Sequence, residues 1–215
     1  MPFDFLKRKK DPRADAPAAP AEQASEQGGI PFDGLTEDWR LVGRMLVEGR
    51  MSDALNKRDP IPIADVQWAP IDGSEPLAPA PGLKTVDPYD LVIVLAGGDS
   101  LPDATDAERT AHRVHKVSYE VALEVPPYRV IGTVLLYPGS EPDSLLSRSS
   151  EMFIPVVEAT ASIGDRPMGD GLAAAILVNR AYLRGVEQVD ARTGERHEKL
   201  PGTSMGGVNW SDRAR

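Results

Sequence analysis

Cysteine is absent from this chain of 215 residues. The protein therefore forms no disulfide, offers no thiolate nucleophile and has no thiolate ligand for zinc, whatever the redox state of its compartment. Aromatic residues are also few, at 6% of the chain, whereas the sequence holds 19 glycines and 20 prolines. This composition predicts many turns and some unfolded sequence around a hydrophobic core.

Long hydrophobic runs and a broad excess of positive charge are missing as well. Residues 1–10 lack the apolar segment of a secretory signal, and no apolar run approaches the roughly 20 residues that cross a bilayer. We therefore expect a cytoplasmic protein. The net charge is −9, and residues 1–10 contribute +3, which leaves −12 for the remainder. Because an acidic body repels a phosphate backbone, duplex nucleic acid is not expected as a partner.

The first ten residues combine apolar and basic side chains. They are Phe3, Phe5 and Leu6 followed by Lys7, Arg8, Lys9 and Lys10. This combination is typical of segments that bind an anionic membrane surface peripherally, here at the inner face of the membrane. At about 1 kcal/mol per basic residue a monomer binds weakly, and oligomerisation multiplies the effect. The alternative is an arm that contacts a protein partner or keeps the terminus soluble.

Composition divides the chain into four segments. Residues 1–29 are predicted to be a disordered basic arm and a Pro/Ala linker. Residues 190–215 are predicted to be a flexible polar tail, which Trp210 could dock onto the rest of the protein. Between them, residues 30–125 form a first β-rich unit with a connecting helix and strand, and residues 126–189 form a second unit.

Two segments match each other in order and spacing, which predicts an internal duplication. Each begins with an aromatic residue, Arg, two aliphatic residues and Gly, continues with a turn containing Asp and Leu, and reaches an Ile-Pro pair. The marks of the first copy are Trp39, Gly43, Asp53, Leu55, Ile61 and Pro62, and those of the second are Tyr128, Gly132, Asp143, Leu145, Ile154 and Pro155. The alternative is that β proteins reuse similar strands.

Each unit is interpreted as strand, short helical turn, strand, long loop and a closing strand, which is the apolar run 91–95 in the first copy and 173–178 in the second. A glycine inside the first strand usually marks a bulge or a close backbone approach, and Ser, Pro or Asp at the start of the turns favours a short helix. Residues 105–108 have a capping-box pattern, and residues 117–125 alternate as a half-buried strand. The predicted fold is mainly β with short helices, a β-rich α+β class, in which two pseudo-symmetric sheet- or barrel-like units pack into one body.

The repeated pattern resembles an uncharacterised bacterial domain family of unknown function, present here as two tandem copies. The resemblance covers residues 39–68 and 128–183, and the second copy departs from the pattern at Ser147. It implies no activity and no catalytic residue. Residues 178–183 also resemble the last strands of small Sm-like barrels, which is an analogy of fold alone.

Three short motifs are weak candidates for chemistry. Residues 202–206 fit the G-x-S-x-G pattern of a hydrolase elbow, but they follow Pro201 in a polar tail and the last histidine, His197, precedes them. His112 and His115 lack the third ligand of a zinc site. Residues 97–100 follow an apolar strand as a phosphate loop does, but have no Lys, and we interpret them as a turn.

Four carboxylates occupy matching positions of the two copies. They are Asp53, Asp65, Asp143 and Glu158. Facing one groove, they would act as an acid–base pair or as cation ligands. Acidic residues in turns and at strand edges are ordinary capping and solvation choices, so no catalytic residue, cofactor or metal is predicted.

These observations favour a non-catalytic protein-interaction or assembly module that self-associates or binds a protein partner, with the arm as a peripheral membrane tether. One alternative is a small-molecule or nucleotide binder that uses the cleft between the units. Another is single-stranded nucleic-acid binding, in which Trp39, Trp68 and Tyr128 would stack bases.

Overall fold

A computed structural model describes residues 29–97, 116–147 and 151–190, together with residues 193 and 195. The strands are β1 (Ile30–Leu35), β2 (Trp39–Met45), β3 (Ile61–Pro70), β4 (Ala78–Pro79), β5 (Thr85–Val86), β6 (Ile93–Ala96), β7 (Val117–Val125), β8 (Tyr128–Leu136), β9 (Phe153–Ile163), β10 (Arg166–Asn179) and β11 (Gly185–Gln188). The helix α1 (Met51–Asn56) and the 3-10 helices Pro88–Asp90, Pro142–Leu146 and Arg180–Tyr182 complete the elements. The predicted class, mainly β with short helices, is confirmed.

The strands form one eleven-stranded sheet, and every pairing in it is antiparallel. Its order is β11-β7-β8-β9-β10-β6-β1-β2-β3-β4, with β5 beside β4 on β3. The segment β1–β6, called here the first half, pairs within itself, and so does β7–β11, the second half. The two halves meet where β6 pairs with β10. This β6–β10 pairing is called the junction below.

The interior glycines of β2 and β8 lie at bulges, as their sequence context predicts. The β2–β3 register shifts between Val42 and Arg44, and the β8–β9 register shifts between Ile131 and Thr133. A Cβ on Gly43 would lie 2.9 Å from the Ala64 carbonyl oxygen. A side chain at this position would therefore push the neighbouring strand away.

The strand opposite each bulge contains an acidic residue with left-handed backbone. Asp65 has a φ of 53° and Glu158 a φ of 49°, and both side chains are exposed. Such a φ is uncommon outside glycine. The bulge therefore has the same backbone form in both halves.

The last strand of each half also follows the same plan. The 3-10 helix Pro88–Asp90 precedes β6, which pairs with β1, and the 3-10 helix Arg180–Tyr182 precedes β11, which pairs with β7. Each of these helices is capped by a side chain, Asp87 in the first half and Asn179 in the second. The duplication itself stays a prediction, and these shared features support it.

Two hydrophobic clusters form the core, and each recruits residues from the other half. The second half's cluster includes Leu35, Val92 and Ile93 from the first. The first half's cluster includes Phe153 and Leu177 from the second. Since burial of apolar area drives folding, each half depends on the other for part of its core.

Two details differ from the local sequence interpretation. The helix α1 begins after Arg50, which makes no side-chain cap, and Asp53 lies inside the helix, so the predicted cap is wrong there. The strand β1 was not predicted, because its sequence IPFDGL carries Pro, Asp and Gly, which strands disfavour. The predicted strand at 117–125 is confirmed as β7, which pairs with β8 and β11. The predicted helix at 105–108 lies outside the described residues.

Candidate functional site

The junction is an edge-to-edge pairing of apolar strands. Four residues of β10 pair with four of β6, from Ala175 opposite Ala96 to Val178 opposite Ile93. Val94, Ile176 and Val178 are fully buried, at 0% exposure. Apolar pairs of this kind, with their backbone groups satisfied, make a permanent contact between the halves.

A buried asparagine closes one end of the junction. Asn179 is 0% exposed, and its backbone N–H donates to the Val92 carbonyl at 2.9 Å. Its side-chain Nδ2 donates to the Leu91 carbonyl at 2.8 Å, and its Oδ1 accepts from the Ala181 N–H at 3.0 Å. A buried amide with both ends bonded fixes the register of the strands, because any slip would leave it unsatisfied.

Other polar contacts cross between the halves around the junction. Asn56 Oδ1, at the end of α1, accepts from the backbone N–H groups of Met152 and Phe153 at 2.7 and 2.8 Å. The Tyr128 hydroxyl donates to the Thr36 carbonyl. Burial of Tyr128, with the charges of Asp38 and Asp33 nearby, raises the pKa of its phenol. The first half therefore covers Tyr128, which is only 1% exposed.

A cleft of about 280 Å³ opens between the end of β3 and the β9–β10 hairpin. Arg40 and Glu75 line it from the first half, and Arg166 lines it from the second. Both arginines are engaged, because Arg40 forms a two-point ion pair with Asp33, at 2.6 and 2.9 Å, and Arg166 donates to the Ile71 and Asp72 carbonyls. The cleft therefore lies between the two halves, and both of its arginines already have protein partners.

The outer edges of the sheet correspond in position to the two strands of the junction. Residues 83–87 are called the first outer edge. They run along the start of β3 in the same way that residues 175–179 run along the start of β9. Residues 184–188 are called the second outer edge. They run along β7 in the same way that residues 92–96 run along β1. Among the described strands, β5 pairs only with β3 and β11 only with β7. Backbone hydrogen-bonding groups on these edges are therefore directed outward.

A pair of exposed tryptophans lies at the end of β3 that pairs with β4, whereas the first outer edge runs along the start of β3. Trp39 and Trp68 stack with ring centroids 4.7 Å apart, and they are 39% and 43% exposed. Tyr128, which matches Trp39 in the repeat, is buried in the second half's cluster. The hypothesis that Tyr128 stacks a nucleic-acid base is therefore wrong, because its side chain is buried, at 1% exposure.

The matching carboxylates do not converge. Asp65 lies on β3 and Glu158 on β9, and the strands β10, β6, β1 and β2 lie between them in the sheet. Asp53 and Asp143 are exposed within the two short helices. Within the described ranges there is no group of three or more His, Cys, Asp or Glu that could hold a metal ion.

Several sequence candidates lie outside the described residues. They are the basic arm at 1–10, the His112 and His115 pair, most of the turn at 97–100, the G-x-S-x-G motif at 202–206 and Trp210. For the part of the chain that is described, no helix has the length and apolar character needed to span a membrane.

The fold and these surfaces define a β-rich protein whose two halves are joined by edge-strand pairing. No protein-family model, curated protein or solved structure matches the chain. The resemblance to a bacterial family of unknown function stays a prediction.

Proposed function

We propose that this protein is a non-catalytic interaction and assembly module, built from two diverged copies of one small β unit and acting in the cytoplasm. The observation that carries the proposal is the junction, in which edge strands of the two halves pair. A unit that docks onto its own diverged copy in this way has the edge geometry for docking onto further protein strands. Both outer edges keep that geometry.

Surface chemistry at the end of β3, beside β4, supports the same function. Trp39, Trp68 and Leu77 are each more than a third exposed. Tryptophan is enriched where proteins bind one another, because it supplies a large contact area and few rotatable bonds. A protein surface is therefore the partner that this region fits best.

The experiment is sedimentation velocity of the full chain over a wide range of concentration, alone and with candidate protein partners. An increase of mass with concentration, or a stoichiometric complex with a purified partner, is the expected result. A monomer at every concentration that forms no complex with any protein tested would contradict the proposal.

The arm belongs to the proposal as a peripheral membrane tether. Its four basic residues, Lys7 to Lys10, would together contribute about 4 kcal/mol of attraction to an anionic surface, at about 1 kcal/mol each. We expect the full chain to sediment with vesicles of anionic lipid at low salt and not with neutral vesicles. A variant with all four changed to Gln serves as the control. Equal sedimentation of both proteins would remove the tether.

The cleft supports a second candidate function, the binding of a small molecule or nucleotide. The supporting observation is that Arg40 and Arg166 line one opening from different halves. A ligand there would cross-link the halves, so we expect it to raise the melting temperature of the full chain. The absence of a shift with any nucleotide or metabolite of a broad panel would count against this function.

A further inference from the structure

We propose that copies of this chain join head to tail, with the first outer edge of one copy pairing with the second outer edge of the next in the register of the junction. This inference rests on the proposed assembly function and names its partner, a second copy of the chain. Its starting point is the way the two edges match the strands of the junction.

The correspondence assigns each outer position a counterpart at the junction. Ile61 pairs with Val86, and its counterpart Ile154 pairs with Val178, so Val86 corresponds to Val178. Two residues earlier in each strand, Lys84 corresponds to Ile176. In the first half, Leu35 pairs with Ile93. Its counterpart in the second half, Glu124, pairs with Gly185, so Gly185 corresponds to Ile93. Two residues further along each strand, Glu187 corresponds to Leu95. At the junction Ile176 lies opposite Leu95. The same register between copies therefore sets Lys84 opposite Glu187.

A second charge pair follows from the same register. The N–H of Asn179 donates to the Val92 carbonyl at the junction. Asp87 corresponds to Asn179, and Arg184 corresponds to Val92. The outer register therefore places Asp87 opposite Arg184, and both side chains are exposed. Two opposite-charge pairs at directly opposed positions favour this register, since cross-strand ion pairs stabilise and like charges destabilise.

The backbone of both edges agrees with this pairing. Val189 N–H donates to the Glu120 carbonyl, so by the alternation of an antiparallel ladder the N–H groups of Val186 and Gln188 point outward. On the first outer edge the Lys84 carbonyl accepts from Ile63 N–H, which leaves the N–H of Thr85 pointing outward. Donors and acceptors therefore meet at Thr85, Val186 and Gln188, whereas the Leu83 N–H already donates to the Ala80 carbonyl and ends the contact there.

Two prolines limit how far the contact extends. Ala80 N–H donates to the Val66 carbonyl, so the outward positions of this segment are Pro79 and Pro81, which have no N–H. Pairing therefore stops before residue 82, and the contact is short. A head-to-tail contact of this kind is heterologous, so it closes into a ring or extends into a filament.

The test uses the absence of cysteine from the chain. Lys84→Cys and Glu187→Cys are introduced in separate full-length proteins, which are then mixed under mild oxidation. Opposed positions of a non-hydrogen-bonded pair lie close enough for a disulfide. We expect a covalent dimer that contains one copy of each protein. Lys57 is also exposed and belongs to neither edge, so Lys57→Cys mixed with Glu187→Cys should not cross-link.

A charge-swap series measures the same contact without a cross-link. Lys84→Glu and Glu187→Lys should each weaken association about tenfold, because an attractive cross-strand pair becomes a repulsive one, and the double variant should restore it. Glu48→Lys and Lys57→Glu are the matched controls. Glu187 also lies 3.9 Å from Arg129 in its own half, so Glu187→Lys should lower the melting temperature slightly. A cooperative unfolding transition in each single variant would show that it remains folded.

Three results would overturn the inference, and they are distinguishable. Association without the mixed cross-link would reject this register and leave the assembly function standing. A cross-link of Glu187→Cys with itself would instead indicate a two-fold pairing of β11 with β11. A full chain that stays monomeric and binds no protein partner would reject both the inference and the proposed function.

Discussion

The junction and the outer edges use corresponding strand positions with different side chains. At the junction, β6 contributes Ile93 to Ala96 and β10 contributes Ala175 to Val178, all of them apolar. At the outer edges the corresponding residues include Lys84, Thr85, Glu187 and Gln188. Apolar strands pair within the chain at the junction, and under the proposed assembly the polar outer strands would use the same geometry to pair reversibly between chains.

The polar residues at the junction and their counterparts at the outer edges also differ, because the counterparts are exposed. Asn56 accepts two backbone N–H groups across the junction, whereas Leu146, its counterpart in the second half, is 47% exposed. The buried Asn179 has the exposed Asp87 as its counterpart. An interface between copies would therefore be weaker than the junction, as expected of reversible assembly.

The largest expected effect is the difference between Tyr128 and its counterpart Trp39 in the free energy of unfolding that is lost when each is changed to Ala. Tyr128→Ala should lower the free energy of unfolding by about 3–5 kcal/mol, because it removes a fully buried ring from the core. Trp39→Ala should cost about 1–2 kcal/mol, because this ring is partly exposed. Denaturant unfolding of the two variants checks the comparison. Equal losses would mean that the first half does not cover Tyr128.

That comparison also marks what could be predicted from the sequence. Strand β2, strand β8 and the bulges at Gly43 and Gly132 follow from local pattern, because β-branched runs and an interior glycine have local causes. The burial of Tyr128 has no local signal. It depends on the Thr36 hairpin, which lies 92 residues away in the chain.

The candidate site was less accessible to sequence reasoning than the fold. The apolar runs at residues 91–95 and 173–178 were predicted as the matching closing strands of the two copies. They are strands, but the match is wrong, because β6 corresponds in position to β11 and the end of β10 corresponds to β5. Strand β11, with the sequence GVEQ, carries little strand propensity and is held by β7. The two charge pairs of the proposed contact become visible only once both registers are known.

The next largest effect compares the buried Asn179 with its exposed counterpart Asp87, again by the free energy of unfolding. Asn179→Asp should lower the free energy of unfolding by about 3 kcal/mol, because a carboxylate would face the Leu91 and Pro88 carbonyls with no donor to offer. Asp87→Asn should change it by less than about 0.5 kcal/mol, because Asn caps a helix as well as Asp does. A stable, fully folded Asn179→Asp protein would contradict the role of this residue in the junction.

A smaller effect compares the two bulges. A Cβ on Gly132 would lie 2.7 Å from the Ala159 Cβ and 2.9 Å from its Cα, so Gly132→Ala should cost about 1–3 kcal/mol. Gly43→Ala should cost a similar amount, because its Cβ would meet the Ala64 carbonyl at 2.9 Å. Thermal unfolding of both variants measures the costs. A large loss for one and none for the other would show that the bulges are not equivalent.

The smallest effect concerns pH and the covered phenol. Burial raises the pKa of Tyr128 above its ordinary value of 10.0, so the neutral phenol is favoured in the folded protein. Its contribution to stability is therefore complete below about pH 10 and is lost as the pH rises above that value, by at most about 1.4 kcal/mol per pH unit. Tyr128→Phe should lose about 1 kcal/mol at neutral pH, with the hydrogen bond to the Thr36 carbonyl, and should fall less steeply in alkali. Burial also raises the pKa of Tyr182, which both proteins share, so the difference between their unfolding curves isolates Tyr128. Parallel curves above pH 10 would mean that this phenol ionises as readily in the folded chain as in the unfolded one, and that the first half does not seal it from water.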